Sequence, residues 1–343
     1  MPFGYNFIQK LLDENNSVDF YLGQDKDSLS KDFIKSNKFK INYVTNKRLW
    51  KSGIGRKQHF YFLFLFLRNL KVEKYDAIVG MGLLGCAMAG MLKAKYNKKL
   101  ILLNDEYPNI YYSTNWIKLH NNAAQNADLI ILPCISRKEE FLEQTSASSN
   151  KLIIELPNTL LKRQVQNISY NWEKEIKLDS NCKYILYSGG TNDFNYFYES
   201  YILSSFLPAN YKIIFIGGKE HIKNDEFLKR NNVIWVENYL DDSEYNGLMK
   251  KVDFVLALYK NICYLDTVGK SSGKIMRAIC LGTDVIVNGY DCYNFIEDNK
   301  LGLTINRISE LNGKLKNAPI SERVLSNEYF YDTYWEQMTV GEL

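Results

Sequence analysis

The 343 residues carry 43 lysines and arginines against 39 aspartates and glutamates, a net charge of +4, and 46% are hydrophobic. The length accommodates two α/β domains of ordinary size, the apolar content excludes a disordered chain, and so small a charge gives no reason to expect nucleic acid as a partner. Six cysteines stand far apart without CxxC spacing, and only three histidines exist. No metal centre is therefore expected, and the thiols read as free cysteines of a cytoplasmic protein. No uncharged apolar run reaches the roughly 18 residues of a membrane span.

The chain opens on a helical pattern, with Phe7, Ile8, Leu11 and Leu12 on one face, followed by a strand over Val18 to Leu22. Doubly wound domains ordinarily begin with a strand, so two readings of the opening stay open. Either Phe3 to Asn6, with Gly4, forms a strand-to-helix loop facing a ligand cleft in a chain with a shortened start, or it is a frayed terminus. Residues 46–71 set Trp50 and a basic lead-in ahead of the dense aromatic and leucine block His59 to Leu70. That stretch is either a buried core helix with solvated flanks or a contact with anionic lipid headgroups, and both can hold together.

From Tyr75 strands and helices alternate. Asp76 to Gly80 reads as a strand, a small-residue helix follows, and Lys99 to Leu103 is the next strand. Gly80, Gly82 and Gly85 match G-x-G-x-x-G, and Asp105 and Glu106 lie about 20 residues on, where a dinucleotide site wants an acid. Helix-to-sheet packing explains the same small residues. Asp105 and Glu106 also end a parallel strand, where carboxylates face a cleft, so they are candidates for acceptor activation or sugar contact, or else turn caps. His120, on the next predicted helix, is a third catalytic candidate against the reading of a core histidine. Ala127 to Leu132 and Leu152 to Leu156 complete the strands of this half, with a helix over Ser136 to Gln144 between them. Pro157 breaks the pattern.

The polar stretch to residue 180 reads as a boundary. The same grammar restarts at Lys183 to Tyr187, a strand ending in Ser188-Gly189-Gly190-Thr191, and at Tyr211 to Ile216, ending at Gly217. Val233 to Val236, Phe254 to Leu258 and Val285 to Val287 are further strands. Between the last two, KSSGKIMRAICLG places Ser271, Ser272 and Gly273 at a helix start, where free N–H groups, hydroxyls and the positive end of the dipole make an anion site. An ordinary capped helix is the alternative. Strands alternating with helices predict parallel sheets with right-handed crossovers.

The order of LLNDEYP, ADLIILPCISRKEEFL, LPNTL, YILYSGGTND, IIFIGG, NVIWVENYLDDSEYNGLMKKVDFVLA and SSGKIMRAICLGTDVIVN resembles the GT-B glycosyltransferases, nearest to family 4, from about Tyr75 to Asn306. The resemblance implies an α/β chain of two Rossmann-like doubly wound domains facing a cleft. The acceptor domain spans residues 1–158, a linker 159–180, the donor domain 181–326, and 327–343 a helix crossing back to the first domain. It implies a nucleotide-sugar donor, UDP- or GDP-type, and a glycan, lipid-linked or protein-linked acceptor in surface polysaccharide or glycan synthesis. Transfer is expected to retain configuration, without metal or other cofactor, at the cytoplasmic side of a membrane.

Carried over by position, the donor meets Gly4, Ser188 to Thr191, Gly217, Tyr239, Leu240, and Lys270, Ser271, Ser272, Gly273, Lys274 and Arg277. Catalysis falls to Glu106, Asp105 and His120. The chain departs from family 4 at Gly269 and Arg277, where that family carries glutamates, so Lys270, Lys274 and Arg277 are expected to supply cationic charge. Two other functions share such a fold: a nucleotide-sugar epimerase or hydrolase, and a non-catalytic partner subunit of a transferase.

Overall fold

The computed structural model describes residues 2–22, 36–43, 70–105, 114–166, 168, 172, 176, 178–188, 205, 207–216, 230–236, 240–259, 268–318 and 327–338. The chain separates into two compact units, Met1–Leu156 with Met338–Leu343, and Pro157–Gln337. Among the described residues no helix is long and apolar enough to cross a membrane.

In the first unit, α1 (Pro2–Asp13) precedes β1 (Val18–Leu22) and β2 (Phe39–Tyr43), a parallel pair. There follow β3 (Ala77–Met81), α2 (Gly82–Tyr96), β4 (Lys99–Leu103), α3 (Thr114–Asn126), β5 (Leu129–Leu132), α4 (Lys138–Thr145) and β6 (Ile153–Glu155). Strands β3 to β6 pair in chain order as one parallel sheet. KLILL and LIIL are unbroken apolar runs because a parallel sheet covered on both faces has no polar side to show. Leu100, Leu102, Ile130 and Leu132 are fully buried with Cys86, Ala89, Ala123 and Phe141. Each such aliphatic side chain contributes ~1.5–3 kcal/mol on burial.

Glycines at two places in this half stand in close packing. Gly4 lies inside α1 and not in a strand-to-helix loop, and an added Cβ there would sit 2.0 Å from the terminal methyl of Met81. The glycine fingerprint has a packing origin too. A Cβ on Gly80 would lie 2.6 Å from Cys86 Cα, and one on Gly90 2.4 Å from Ala123 Cβ, so α2 is drawn onto the sheet and onto α3.

The second unit runs α5 (Lys162–Gln166), β7 (Lys183–Ser188), β8 (Tyr211–Ile216), β9 (Val233–Val236), α6 (Asp242–Met249), β10 (Phe254–Ala257), α7 (Gly273–Cys280), β11 (Asp284–Asn288), α8 (Asn294–Asp298), β12 (Gly302–Ile305), α9 (Leu311–Asn317) and α10 (Tyr331–Gln337). All its ladders are parallel, in the order β12-β11-β10-β7-β8-β9. The chain leaves β7 towards β8 and β9 and returns to the other side at β10. That reversal between β7 and β10 is a topological switch point, the place where open α/β sheets bind ligands beyond their carboxyl ends.

Residues 159–180, read as a linker, instead supply core. Leu160, Val165 and Trp172 are buried with Leu186, Val255, Ile275 and Met276, and the Trp172 indole donates to Glu244 O at 2.7 Å. Sparse apolar residues in a polar stretch hid that role. The beginning and end of the unit are bonded to each other: Thr159 Oγ1 donates to Tyr329 O at 2.8 Å, Tyr331 N to Leu160 O at 2.9 Å and Lys162 N to Asp332 Oδ2 at 2.7 Å. β2, β12 and α8 had no sequence counterpart, because FKINY and GLTI are short and carry polar residues among the apolar ones.

Candidate functional site

The switch point of the second unit collects the strongest constellation. β7 delivers Tyr187 and Ser188 at its carboxyl end, and β10 is followed two residues later by Tyr259. The next helix is α7, whose start is built locally. Gly269–Ser271 forms one 3-10 turn, with Gly269 at φ +44°, and Ser272 caps α7 by accepting from Ile275 N at 3.4 Å. Tyr259 and Ser272 hydroxyls are 2.7 Å apart, while Ser271 Oγ turns inward to Val268 O. The cap is thus tied to β10, and the first N–H groups of α7 are left for an anion.

Gly273 lies close against Asn158. Its Cβ would stand 3.0 Å from Asn158 Nδ2, and Asn158 Oδ1 is buried without a hydrogen-bond partner.

Lys274 projects to the same place. Its Nζ lies 5.4 Å from the Tyr187 ring centre and 6.0 Å from that of Tyr259. No carboxylate pairs with it among the described residues. Burial pulls its pKa from 10.5 to about 8. Two ring faces offset a desolvated ammonium by only about 0.5–2 kcal/mol, so the charge is undercompensated until an anion arrives. Phe215 stacks on Tyr187, centroids 5.1 Å apart and planes 7° apart, which fixes the ring under the lysine.

Ser188 and Tyr245 hydroxyls bond to each other. Burial pushes the Tyr245 phenol up to about 12, against the opposite influence of Ser188 and Arg277, so it stays protonated. Arg277 packs over the Tyr245 ring at 5.9 Å. The site therefore unites Ser188, Ser272, Gly273 and Lys274 from the expected set. Ser271 serves the turn. Lys270 lies apart from the others, over the Tyr334 and Phe295 rings at 5.3 and 6.0 Å. Leu240 is half-buried against the core, next to Asp241, which caps α6 with a capping box to Glu244. Tyr187, Tyr245, Tyr259 and Asn158 were not singled out from sequence; a tyrosine at a strand's carboxyl end was the available signal.

In the first unit, Asp105 follows β4, with its Oδ1 3.7 Å from where a Cβ on Gly82 would stand, at the start of α2. Arg137 Nη1 donates to Asp105 O at 2.9 Å and fixes that backbone. His120 is corrected as a catalyst. It is wholly buried, its Nε2 lies 3.0 Å from Asn104 Oδ1 and its ring meets Phe141 edge-on, and burial lowers its pKa. So buried an imidazole, bonded to Asn104, is placed to position that side chain. Glu106, Gly189, Gly190, Thr191, Gly217, Tyr239 and residues 46–69 lie outside the described residues.

No family model matches the sequence, and no curated protein sequence matches it. Solved structures do. A sucrose-phosphate synthase from Thermosynechococcus elongatus superposes with a TM-score of 0.66 at 14% identity, over 96% of this chain and 88% of that one. Anabaena HepE in complex with UDP gives 0.64 at 14% identity, over 89% and 86%. WaaG, a glycosyltransferase involved in lipopolysaccharide biosynthesis, gives 0.62 at 14% identity, over 97% and 89%. These are GT-B glycosyltransferases, and the chain shares their fold.

Proposed function

We propose that this chain is a glycosyltransferase that takes a sugar from a nucleoside diphosphate and passes it to a glycan, glycolipid or glycoprotein acceptor in surface polysaccharide or glycan synthesis. The observation that carries the proposal is Lys274, a desolvated cation without a carboxylate partner among the described residues, at the start of α7 and at the switch point of the second unit. A leaving diphosphate builds up charge as the glycosidic bond breaks. Helix-start N–H groups and one ammonium in a low-dielectric site stabilise that charge without reorganising. In this reading the diphosphate lies over Ser272, Gly273 and Lys274, transfer needs no metal, and the sugar retains its configuration. UDP-type donors are favoured by HepE, which was solved with UDP. Recognition of the acceptor falls to the first unit, with Asp105 as the carboxylate offered to it.

The test is thermal stability against UDP, GDP, ADP and pyrophosphate. A ligand at 100 times its Kd adds about 2.7 kcal/mol to the folded state. A rise with one nucleotide, absent in Lys274→Ala, is the expected result. No rise with any diphosphate removes the donor assignment. Release of free sugar at the full rate without acceptor would mark a hydrolase instead.

A further inference from the structure

The donor reading leaves one buried polar atom unexplained. Asn158 Oδ1 lies inside the second unit without a hydrogen-bond partner. A buried acceptor in that condition carries its full desolvation cost, and native folds keep few of them. The backbone that carries it is firmly held. Thr159 N donates to Pro157 O at 2.9 Å, closing a three-residue turn with Asn158 at its centre. Pro157 and Thr159, on either side, are buried. The Thr159 hydroxyl donates to Tyr329 O at 2.8 Å and lies 3.0 Å from Sγ of Cys280, the last residue of α7.

The turn is thus anchored at the end of α7, while its central side chain reaches the start. A Cβ on Gly273, the first residue of α7, would stand 3.0, 3.3 and 3.5 Å from Nδ2, Cγ and Oδ1 of Asn158. Three atoms at such similar distances mean that the amide lies broadside against that glycine. The next residue is Lys274, whose ammonium faces the rings of Tyr187 and Tyr259. Two polar groups therefore meet at the helix start, each incomplete. The cation has no carboxylate among the described residues, and the acceptor has no donor.

Their opposite chemistries divide a ligand between them. The ammonium and the first N–H groups of α7 suit phosphate oxygens. A carbonyl oxygen only accepts, and ionised phosphate has no hydrogen to give it. Its complement is a hydroxyl close to phosphate. In a nucleoside diphosphate sugar, the nearest such group is the hydroxyl beside the anomeric carbon, because the ribose hydroxyls lie beyond the 5′ methylene. We propose that Asn158 is a donor-binding residue whose side-chain carbonyl accepts a hydroxyl of the transferred sugar. The assignment rests on the donor reading above and deepens it: α7 holds the diphosphate, and Asn158 recognises what is attached to it.

The experiment measures pyrophosphate, UDP, UDP-glucose, UDP-galactose, GDP and GDP-mannose by calorimetry on the full chain. Wild type is compared with Asn158→Leu, which keeps the shape of the side chain and removes both polar atoms. The variant is expected to lose about tenfold in affinity for a nucleotide sugar, the worth of one hydrogen bond to a buried acceptor, and less than about twofold for the parent diphosphate and pyrophosphate. Its unliganded melting temperature is expected to stay or rise, because the acceptor has no bond to lose. Unchanged affinity for every nucleotide sugar that wild type binds overturns the proposal. So does an equal loss for all ligands, which would make the turn a support of α7 only. A loss shared by nucleotide and nucleotide sugar but not by pyrophosphate also overturns it, and so does wild type that binds UDP or GDP but no sugar form. Wild type that binds none of the probes removes the donor reading itself, a separate result from any behaviour of Asn158.

Discussion

Lys274 Nζ stands 5.4 Å over the ring of Tyr187, joining the first turn of α7 to the last residues of β7 across the switch point. The lysine is held by ring faces in place of a carboxylate. Its pKa of about 8 lies below the 10.5 of an open chain, so folding carries a charge-burial penalty wherever both states are protonated. Roughly 3 kcal/mol corresponds to a shift of that size. Lys274→Met is expected to raise the stability of the unliganded protein by one or two kcal/mol and to remove diphosphate binding, as read by chemical denaturation and calorimetry. A destabilised Lys274→Met would show that the ammonium is already compensated.

The same shift sets a pH dependence. Between about pH 8 and 10.5 the unfolded chain holds the proton and the folded one releases it, so this group makes stability rise with pH in that window. Anion affinity moves the opposite way, falling as pH rises through 8 while the ammonium is lost. Diphosphate binding at pH 8 is expected to take up protons, which titration in buffers of different ionisation heat measures directly. Lys274→Met is expected to show neither the fall nor the uptake.

Ser272→Ala removes the cap that orders the start of α7, at a cost of about 1 kcal/mol. Tyr259→Phe cuts the 2.7 Å bond that steadies this serine and is expected to cost a similar amount or less. The double variant is expected to lose less than the sum, because one bond is removed twice. Additive losses would mean the two hydroxyls act independently.

His120 is depressed by burial, so the folded state resists its protonation. Its contribution to stability is present above the ordinary histidine pKa of about 6.5 and is lost as pH falls below that value. Replacement by Asn is expected to lower the melting temperature at pH 7.5 and to weaken the acid-side destabilisation. The pH profile of transfer, scaled to folded protein, is expected to keep its shape. A lost acidic limb in that profile would return His120 to catalysis.

Gly90→Ala places a methyl 2.4 Å from Ala123 Cβ and 2.9 Å from Ala123 Cα. Backbone cannot rotate away, so a loss of about 1–3 kcal/mol is expected despite the better helix propensity of alanine. Gly85→Ala, with only Gly80 C at 3.8 Å, is expected to be neutral or slightly stabilising. Melting temperatures of the two variants separate packing from a dinucleotide role, because a phosphate-cradling loop would suffer at Gly85 as well.

How far the sequence carried can be seen at α7. Its capping serine, its apolar face and its lysine all belong to one contiguous stretch, and local chemistry of that kind is readable without a structure. Lys274's partners are not. Tyr187 lies in β7 and Tyr259 just beyond β10, and only the sheet order β10-β7-β8 brings them together. Apolar runs such as LIIL and YKIIFI announced their strands, whereas GLTI, with a threonine inside and a glycine at its start, did not. Arg277 was readable as a cation beside the anion loop but not as the holder of Asp242, whose position depends on where α6 begins. His120 failed as a catalyst for the converse reason: residue type speaks of chemistry, and burial decides whether the chemistry is reachable.

Three bonds fasten residues 159–162 to 329–332. The second unit therefore has its entrance and exit at one spot, and in chain terms it is a parenthesis opened after Leu156 and closed at Gln337. A module attached in that way travels as a cassette. Exchanging 157–337 keeps every one of these seams inside the piece being moved, so the switch point travels together with the core that shapes it.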